Sequence, residues 1–189
     1  MSLPAIHVRS LAYEQALQKR QPGTVDLVVI HCTELPDLEA ARTLGERIQY
    51  PQSGTGNSGH FYVDRDGYME QWVDIMRIAH HVRGFNERSI GIELVNRGRH
   101  PDWLHTGRQQ MSETYPQEQI NSLIKLLGWL CSANNSLCWI AGHAELDLEN
   151  VPASNDPTTM VRRKLDPGPL FPWSQLESTV PLRRLLQER

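Results

Sequence analysis

Two apolar runs in this chain each end in a histidine. Val25–His31 (VDLVVIH) closes on His31, and Leu137–Ala141 (LCWIA) runs through Gly142 into His143. A third apolar run, Ser89–Val95 (SIGIELV), carries a carboxylate, Glu93, in its interior. A fourth segment, Arg163-Lys164-Leu165-Asp166-Pro167-Gly168-Pro169, places Lys164 and Asp166 two positions apart in a proline-stiffened turn. Two imidazoles and one carboxylate, brought together, make a three-ligand site whose fourth tetrahedral position is left for water, the arrangement of a catalytic rather than a structural zinc. A carboxylate in a buried run must be paired or raised in pKa, and a partly desolvated glutamate of raised pKa suits a general base. Each feature also has a plain structural reading. A strand-end histidine can be a core or surface residue, Glu93 a salt-bridged glutamate, and Lys164 with Asp166 a surface ion pair. The positions 31, 143 and 166 lie too far apart for a linear metal motif, so the residues alone leave both readings open.

The surrounding pattern must supply the positioning. The β-branched run Val25–His31 reads as a buried strand. Alternation in Ser89–Val95 puts Ile90, Ile92 and Leu94 on one face and Gly91, Glu93 and Val95 on the other, with Gly91 leaving room for a substrate above the sheet. His60–Trp72 (HFYVDRDGYMEQW) reads as a β-hairpin turning at Asp66-Gly67. The spacing predicts helices over Ser10–Arg20, over Asp37–Gln49 with Leu38, Ala41, Leu44 and Ile48 on one face, and over Pro116–Ser132, where Thr114 and Gln117 resemble a capping box. Residues 97–116 and 147–160 read as loops, and a last helix is expected to carry Pro181. Strands interleaved with helices imply a layered α/β domain in which ligands gather at strand ends.

Composition sets the outer limits. A length of 189 residues suits one domain. A net charge of -3 argues against a nucleic-acid partner held by phosphate neutralisation. No apolar stretch approaches the ~18–20 residues that span a bilayer. Eight histidines against three cysteines favour imidazole over thiol chemistry. Cys32, Cys131 and Cys138 show no metal spacing and read as small buried hydrophobes. A cysteine-nucleophile hydrolase lacks an obvious activated thiol, and a closed structural zinc site would take four ligands, commonly with cysteine. The first residues lack the features of a signal peptide. That favours the cytoplasm, with the periplasm or envelope as the alternative where an export signal has been trimmed. A monomer is the default expectation.

The ordered set VVIHCTELP (28–36), SGHFYVDRDG (58–67), AHH (79–81), SIGIELVN (89–96), YPQEQ (115–119), AGHAELD (141–147) and RKLDPGPLFPW (163–173) resembles the zinc-dependent N-acetylmuramoyl-L-alanine amidases of the AmpD/AmiD type. That superfamily also holds phage amidase lysozymes and peptidoglycan-recognition proteins. The likeness runs from about Val25 to Trp173 within a single amidase domain spanning 1–189. It implies a mixed, twisted β-sheet flanked by helices with zinc in a surface groove. It further implies His31, His143 and Asp166 as metal ligands, Glu93 as the catalytic acid–base, and Lys164 as the oxyanion-stabilising residue. His60 and His81 match family histidines near the groove and are carried over as substrate-binding residues. The implied partners are peptidoglycan fragments or muropeptides, and the implied reaction is hydrolysis of the amide between muramic acid, intact or 1,6-anhydro, and L-alanine. A non-catalytic peptidoglycan-binding module of the same fold is the rival reading, but it would not need Asp166, Lys164 and Glu93 together. The stretch Glu145–Arg163 is longer than in compact members and is expected beside the groove.

Overall fold

Continuous apolar strands must be covered on both faces, and the chain satisfies this with a central sheet. The computed structural model describes residues 4–186. The signal-peptide reading falls partly on residues 1–3, which lie outside the described residues. In chain order the strands are β1 (His7–Val8), β2 (Leu27–Cys32), β3 (Phe61–Val63), β4 (Met69–Gln71), β5 (Ser89–Leu94), β6 (Trp139–Gly142), β7 (Asn150–Pro152), β8 (Met160–Arg162) and β9 (Arg183–Arg184). The helices are α1 (Leu38–Gly45), α2 (Gln117–Ala133), α3 (His143–Leu146) and α4 (Trp173–Glu177). Seven strands form one mixed sheet in the order β1-β4-β3-β5-β2-β6-β9, and β7 and β8 form a separate antiparallel pair. Strand β2 lies at its centre, parallel to β5 on one side and to β6 on the other.

Alternation assigns the two faces. Val28, Ile30, Phe61, Val63, Ile90, Ile92, Leu94 and Ile140 pack on Ile120, Leu123, Leu126, Leu127 and Leu130 of α2. The opposite face carries Leu27, Val29 and Ala141, covered by Val82 and Leu146. Toward the carboxyl ends of β2 and β5 that cover stops, and the face opens where His31 and Glu93 stand. Among the described residues no helix is long and apolar enough to cross a membrane.

Several local expectations change. Ser10–Arg20 forms only a 3-10 turn at Glu14–Ala16. Its backbone is engaged by the segment after β4 instead of by its own preceding turn: Leu11 N–H donates to the Trp72 carbonyl, Arg20 N–H to Met76, and Ile78 N–H to Gln18. Helix α1 is capped by Asp37, whose carboxylate accepts from Ala40 N–H at 2.7 Å. It stops at Gly45, so Ile48 lies beyond it and both Leu44 and Ile48 are exposed. No capping box forms on α2, because its N-cap is Pro116, which has no side-chain acceptor. Pro181 lies past the end of α4, before β9, as expected of a residue without an amide hydrogen. The stretch 147–160 is part of a hairpin and not a plain loop. The hairpin β3–β4 turns as expected at Gly67, whose φ of +85° favours glycine. The three cysteines are free.

Candidate metal centre and active site

The register of the sheet places the chemistry in one row. His31 on β2 is paired directly with Glu93 on β5, so both side chains leave the same face side by side. Ile30 pairs with Gly142, which brings His143, the first residue of α3, alongside His31. The fourth member arrives from a turn. Ala144 N–H donates to the Asp166 carbonyl at 2.9 Å, and the Tyr115 hydroxyl donates to the Pro167 carbonyl at 2.6 Å. Gly142 is needed for this approach, since a Cβ there would stand 2.8 Å from Cδ of Pro167.

These elements make a tight triangle. His31 Nδ1 lies 3.0 Å from both His143 Nδ1 and Asp166 Oδ2, and His143 Nδ1 lies 3.1 Å from Asp166 Oδ2. All three residues are buried. They are the one group of metal-capable ligands found together among the described residues, and Cys32 is not part of it. Two nitrogens and a carboxylate oxygen are a suitable donor set for zinc, and the triangle's edges approach the roughly 3.3 Å between ligands of a tetrahedral ion bonded at about 2.0–2.1 Å. The other carboxylate oxygen, Asp166 Oδ1, is buried without a hydrogen-bond partner. The residues therefore fit a cation.

Electrostatics agree with that division of roles. Burial and the neighbouring His143 ring push the His31 pKa down to about 4, so its ring is neutral. Burial alone would raise the Asp166 pKa, but the adjoining His143, which also hydrogen-bonds it, holds the carboxyl well below its ordinary range. Glu93 is different. Burial, followed by the Asp166 charge, pushes it up to about 8 against the opposing pull of Lys164. Its Oε1 lies 3.9 Å from His31 Nδ1, and its side chain remains 15% exposed to the groove. Lys164 lines the same groove, a cleft of about 570 Å³.

The two carried-over histidines part company. His81 lines the groove and touches the metal triangle, its Nδ1 lying 3.0 Å from His31 Nε2. His60, expected beside substrate, is not among the residues that line the groove. It is fully buried, its Nδ1 accepts from Gly91 N–H, and its Nε2 faces the Arg77 carbonyl at 3.0 Å. Its place is a structural tie between β5 and the segment after β4. The space above Gly91 is not free for substrate either. A Cβ there would stand 2.6 Å from the His81 ring, so glycine makes room for that imidazole.

Sequence reasoning did not find the buried pair Glu34–Arg99. The Arg99 guanidinium grips both Glu34 carboxylate oxygens at 2.8 and 2.9 Å and also donates to the carbonyls of Arg162 and Arg163, next to Lys164. Glu34 takes the left-handed φ of +50°, and its carbonyl accepts from Trp103 Nε1 at 3.1 Å. Trp103 and Leu104 line the groove. Behind them the β7–β8 hairpin is attached by Ser154 N–H to the Leu104 carbonyl and by Asn155 to Thr106 N–H. The long stretch thus braces one wall from behind, and only Arg163 at its end faces the groove. Sixty-five positions separate Glu34 from Arg99, with no linear signal linking them. Arg99→Ala should strand a buried carboxylate and cost about 3–5 kcal/mol in chemical denaturation. An unchanged unfolding midpoint would overturn this reading of the pair.

Comparison with known proteins agrees with this geometry. The N-acetylmuramoyl-L-alanine amidase family model matches residues 21–169. The chain is 38% identical over 91 residues to the N-acetylmuramoyl-L-alanine amidase AmiD of Escherichia coli, covering 48% of this chain and 27% of AmiD. It is 30% identical over 80 residues to the endolysin of Escherichia phage T7, covering 42% of this chain and 53% of the endolysin. The match thus spans about half of the phage protein and about a quarter of AmiD. Among solved structures, AmiD in complex with anhydro-N-acetylmuramic acid-L-Ala-D-gamma-Glu-L-Lys superimposes with a TM-score of 0.63 at 25% identity, over 84% of this chain and 58% of AmiD. The endolysin LysCS of Clostridium intestinale shares the fold, with a TM-score of 0.66 at 19% identity over 96% of this chain and 99% of that one. With four-fifths of its length inside the family model and the mixed sheet in common, the chain belongs to the N-acetylmuramoyl-L-alanine amidase family.

Proposed function

We propose that this chain is a zinc-dependent amidase that hydrolyses the bond between the lactyl carbonyl of N-acetylmuramic acid, intact or 1,6-anhydro, and the L-alanine of a peptidoglycan stem peptide. The observation that carries the reading is the convergence of His31, His143 and Asp166 on one point, with Glu93 beside them at the floor of an open groove. The family match and the muropeptide bound to AmiD support the substrate class. His31, His143 and Asp166 would hold the metal, which when bound supplies Lewis acidity that polarises the carbonyl and acidifies an attacking water.

The chain's own residues do the rest. Glu93 takes the proton of the attacking water and delivers it to the leaving nitrogen as the C–N bond breaks. Burial raises this carboxyl's pKa in the metal-free chain, and the same desolvation makes its carboxylate a better proton acceptor. Lys164 faces the groove and offers an ammonium to the negative charge that develops on the carbonyl oxygen. The products are a free lactyl carboxylate and a peptide with a free L-alanine amine, so water is the sole co-reactant.

Mass spectrometry of a muropeptide digest tests this. Anhydro and intact muramyl peptides are supplied in parallel, with and without a chelator. The expected result is release of free stem peptide that stops on chelation and returns with zinc. Intact muropeptides after prolonged incubation with the zinc-loaded protein would overturn the enzyme assignment and leave a binding module.

A further inference from the structure

A metal-binding histidine must present a lone pair on one ring nitrogen and a proton on the other, and something must choose between them. In this structure the choice can be traced hydrogen by hydrogen. The Ser89 hydroxyl lies 2.8 Å from the Phe85 carbonyl and 3.1 Å from His81 Nε2. A carbonyl cannot donate, so the hydroxyl hydrogen goes to Phe85 and the serine oxygen accepts from His81. His81 Nε2 therefore carries hydrogen. The ring's polar contacts are Ser89 and His31 and it pairs with no carboxylate, so with its hydrogen on Nε2 the imidazole leaves Nδ1 as an acceptor. Its neighbour at 3.0 Å is His31 Nε2, which must be the donor. With its hydrogen on Nε2, His31 turns the lone pair of Nδ1 toward His143 and Asp166.

We propose that His81 is a positioning residue of the metal centre: Ser89 locks it in the Nε2–H form, and it holds His31 with the Nδ1 lone pair turned toward His143 and Asp166. The inference rests on the metal-centre reading above and adds the element that fixes its first ligand. The surroundings are built for it. Asn86 Oδ1 accepts from the backbone N–H groups of His81 and Val82 at 3.0 and 2.8 Å, anchoring the segment. Gly91 opens the space the His81 ring occupies. The His31 and His81 rings meet edge-on with centroids 5.1 Å apart, a spacing that suits an N–H···N bond between them. The chain Phe85–Ser89–His81–His31 thus runs from the start of β5 to the triangle.

The test is zinc affinity of the full chain, measured by competition with a chromophoric chelator, together with the visible spectrum of the cobalt(II)-substituted protein. His81→Ala should weaken zinc binding about 10–100-fold and alter the cobalt bands, because the orienting acceptor is lost. His81→Asn should recover most of the affinity, since its carbonyl oxygen can stand where Nδ1 stood. Ser89→Ala should fall between, as His81 is then free to change tautomer. Wild-type affinity in His81→Ala would overturn the inference, as would equal loss in the alanine and asparagine variants, which would reduce His81 to packing. A readout that needs no variant is nitrogen-15 NMR of the zinc-loaded wild type. It should find His81 protonated at Nε2 and bare at Nδ1, and the opposite tautomer would overturn the inference. Failure of the wild-type chain to take up zinc would instead remove the metal-centre reading itself.

Discussion

Glu93→Gln should cut turnover sharply while making the metal-free protein more stable. The two effects share one cause. Glu93 stands on a central strand between β2 and β3, where burial and the Asp166 charge raise its pKa from 4.5 to about 8. The folded chain therefore holds this proton more tightly than the unfolded chain does. Between pH 4.5 and 8 the folded state binds more protons, so wild-type stability falls as pH rises through that window. Glutamine keeps the shape and removes the charge. In chelator-treated protein the variant's advantage should be near zero below pH 4.5, about 3 kcal/mol at pH 7, and constant above pH 8. Activity should move the other way, by ~10²–10⁴-fold, the usual contribution of a positioned acid–base group. Zinc content should stay at the wild-type level, because Glu93 is outside the triangle. Urea titrations of both proteins across that pH range, read beside muropeptide turnover, check the pair of effects. An advantage that shrinks with rising pH would show that the carboxylate is not desolvated in the fold.

What could be read in advance followed from strong local periodicity. The strands Val25–His31 and Ser89–Val95 were legible because a central strand covered on both faces must be apolar throughout, and Glu93 stood out against that background. Their order in the sheet brought His31, Glu93 and His143 into line, and the resemblance named those residues before any distance was available. The misplaced elements are those where tertiary partners override local preference. Ser10–Arg20 has helical spacing, yet its backbone bonds to residues 72–78. His60 and His81 sit in equally suggestive motifs, and only the packing separates the structural tie from the neighbour of the metal triangle. The Glu34–Arg99 pair and the brace behind Trp103 were invisible because they join segments about 50 to 70 residues apart through side chains that would look ordinary on any surface.

Zinc should raise the melting temperature of the wild-type chain and not that of Asp166→Asn or His31→Ala. Without a cation, Asp166 is a buried carboxylate whose Oδ2 lies against the two imidazoles and whose Oδ1 is unpartnered. A ligand that binds the folded state alone stabilises it by RT ln(1 + [L]/Kd), about 4.1 kcal/mol at a thousandfold excess over Kd. For a domain of this size each kcal/mol corresponds to roughly 2–4 °C, so the wild-type shift should be about 8–16 °C. Asp166→Asn removes the one negative charge of the donor set, and His31→Ala removes a donor whose lone pair is already bare at neutral pH. Both should lose zinc in elemental analysis and lose turnover with it. Lys164→Ala provides the contrast. Its side chain faces the groove and is not one of the three ligands, so it should keep the full thermal shift while turnover falls by ~10²–10³-fold. A full zinc-induced shift in Asp166→Asn would remove the carboxylate from the metal site. Loss of the shift in Lys164→Ala would mean that the ammonium supports the triangle itself and not the developing oxyanion.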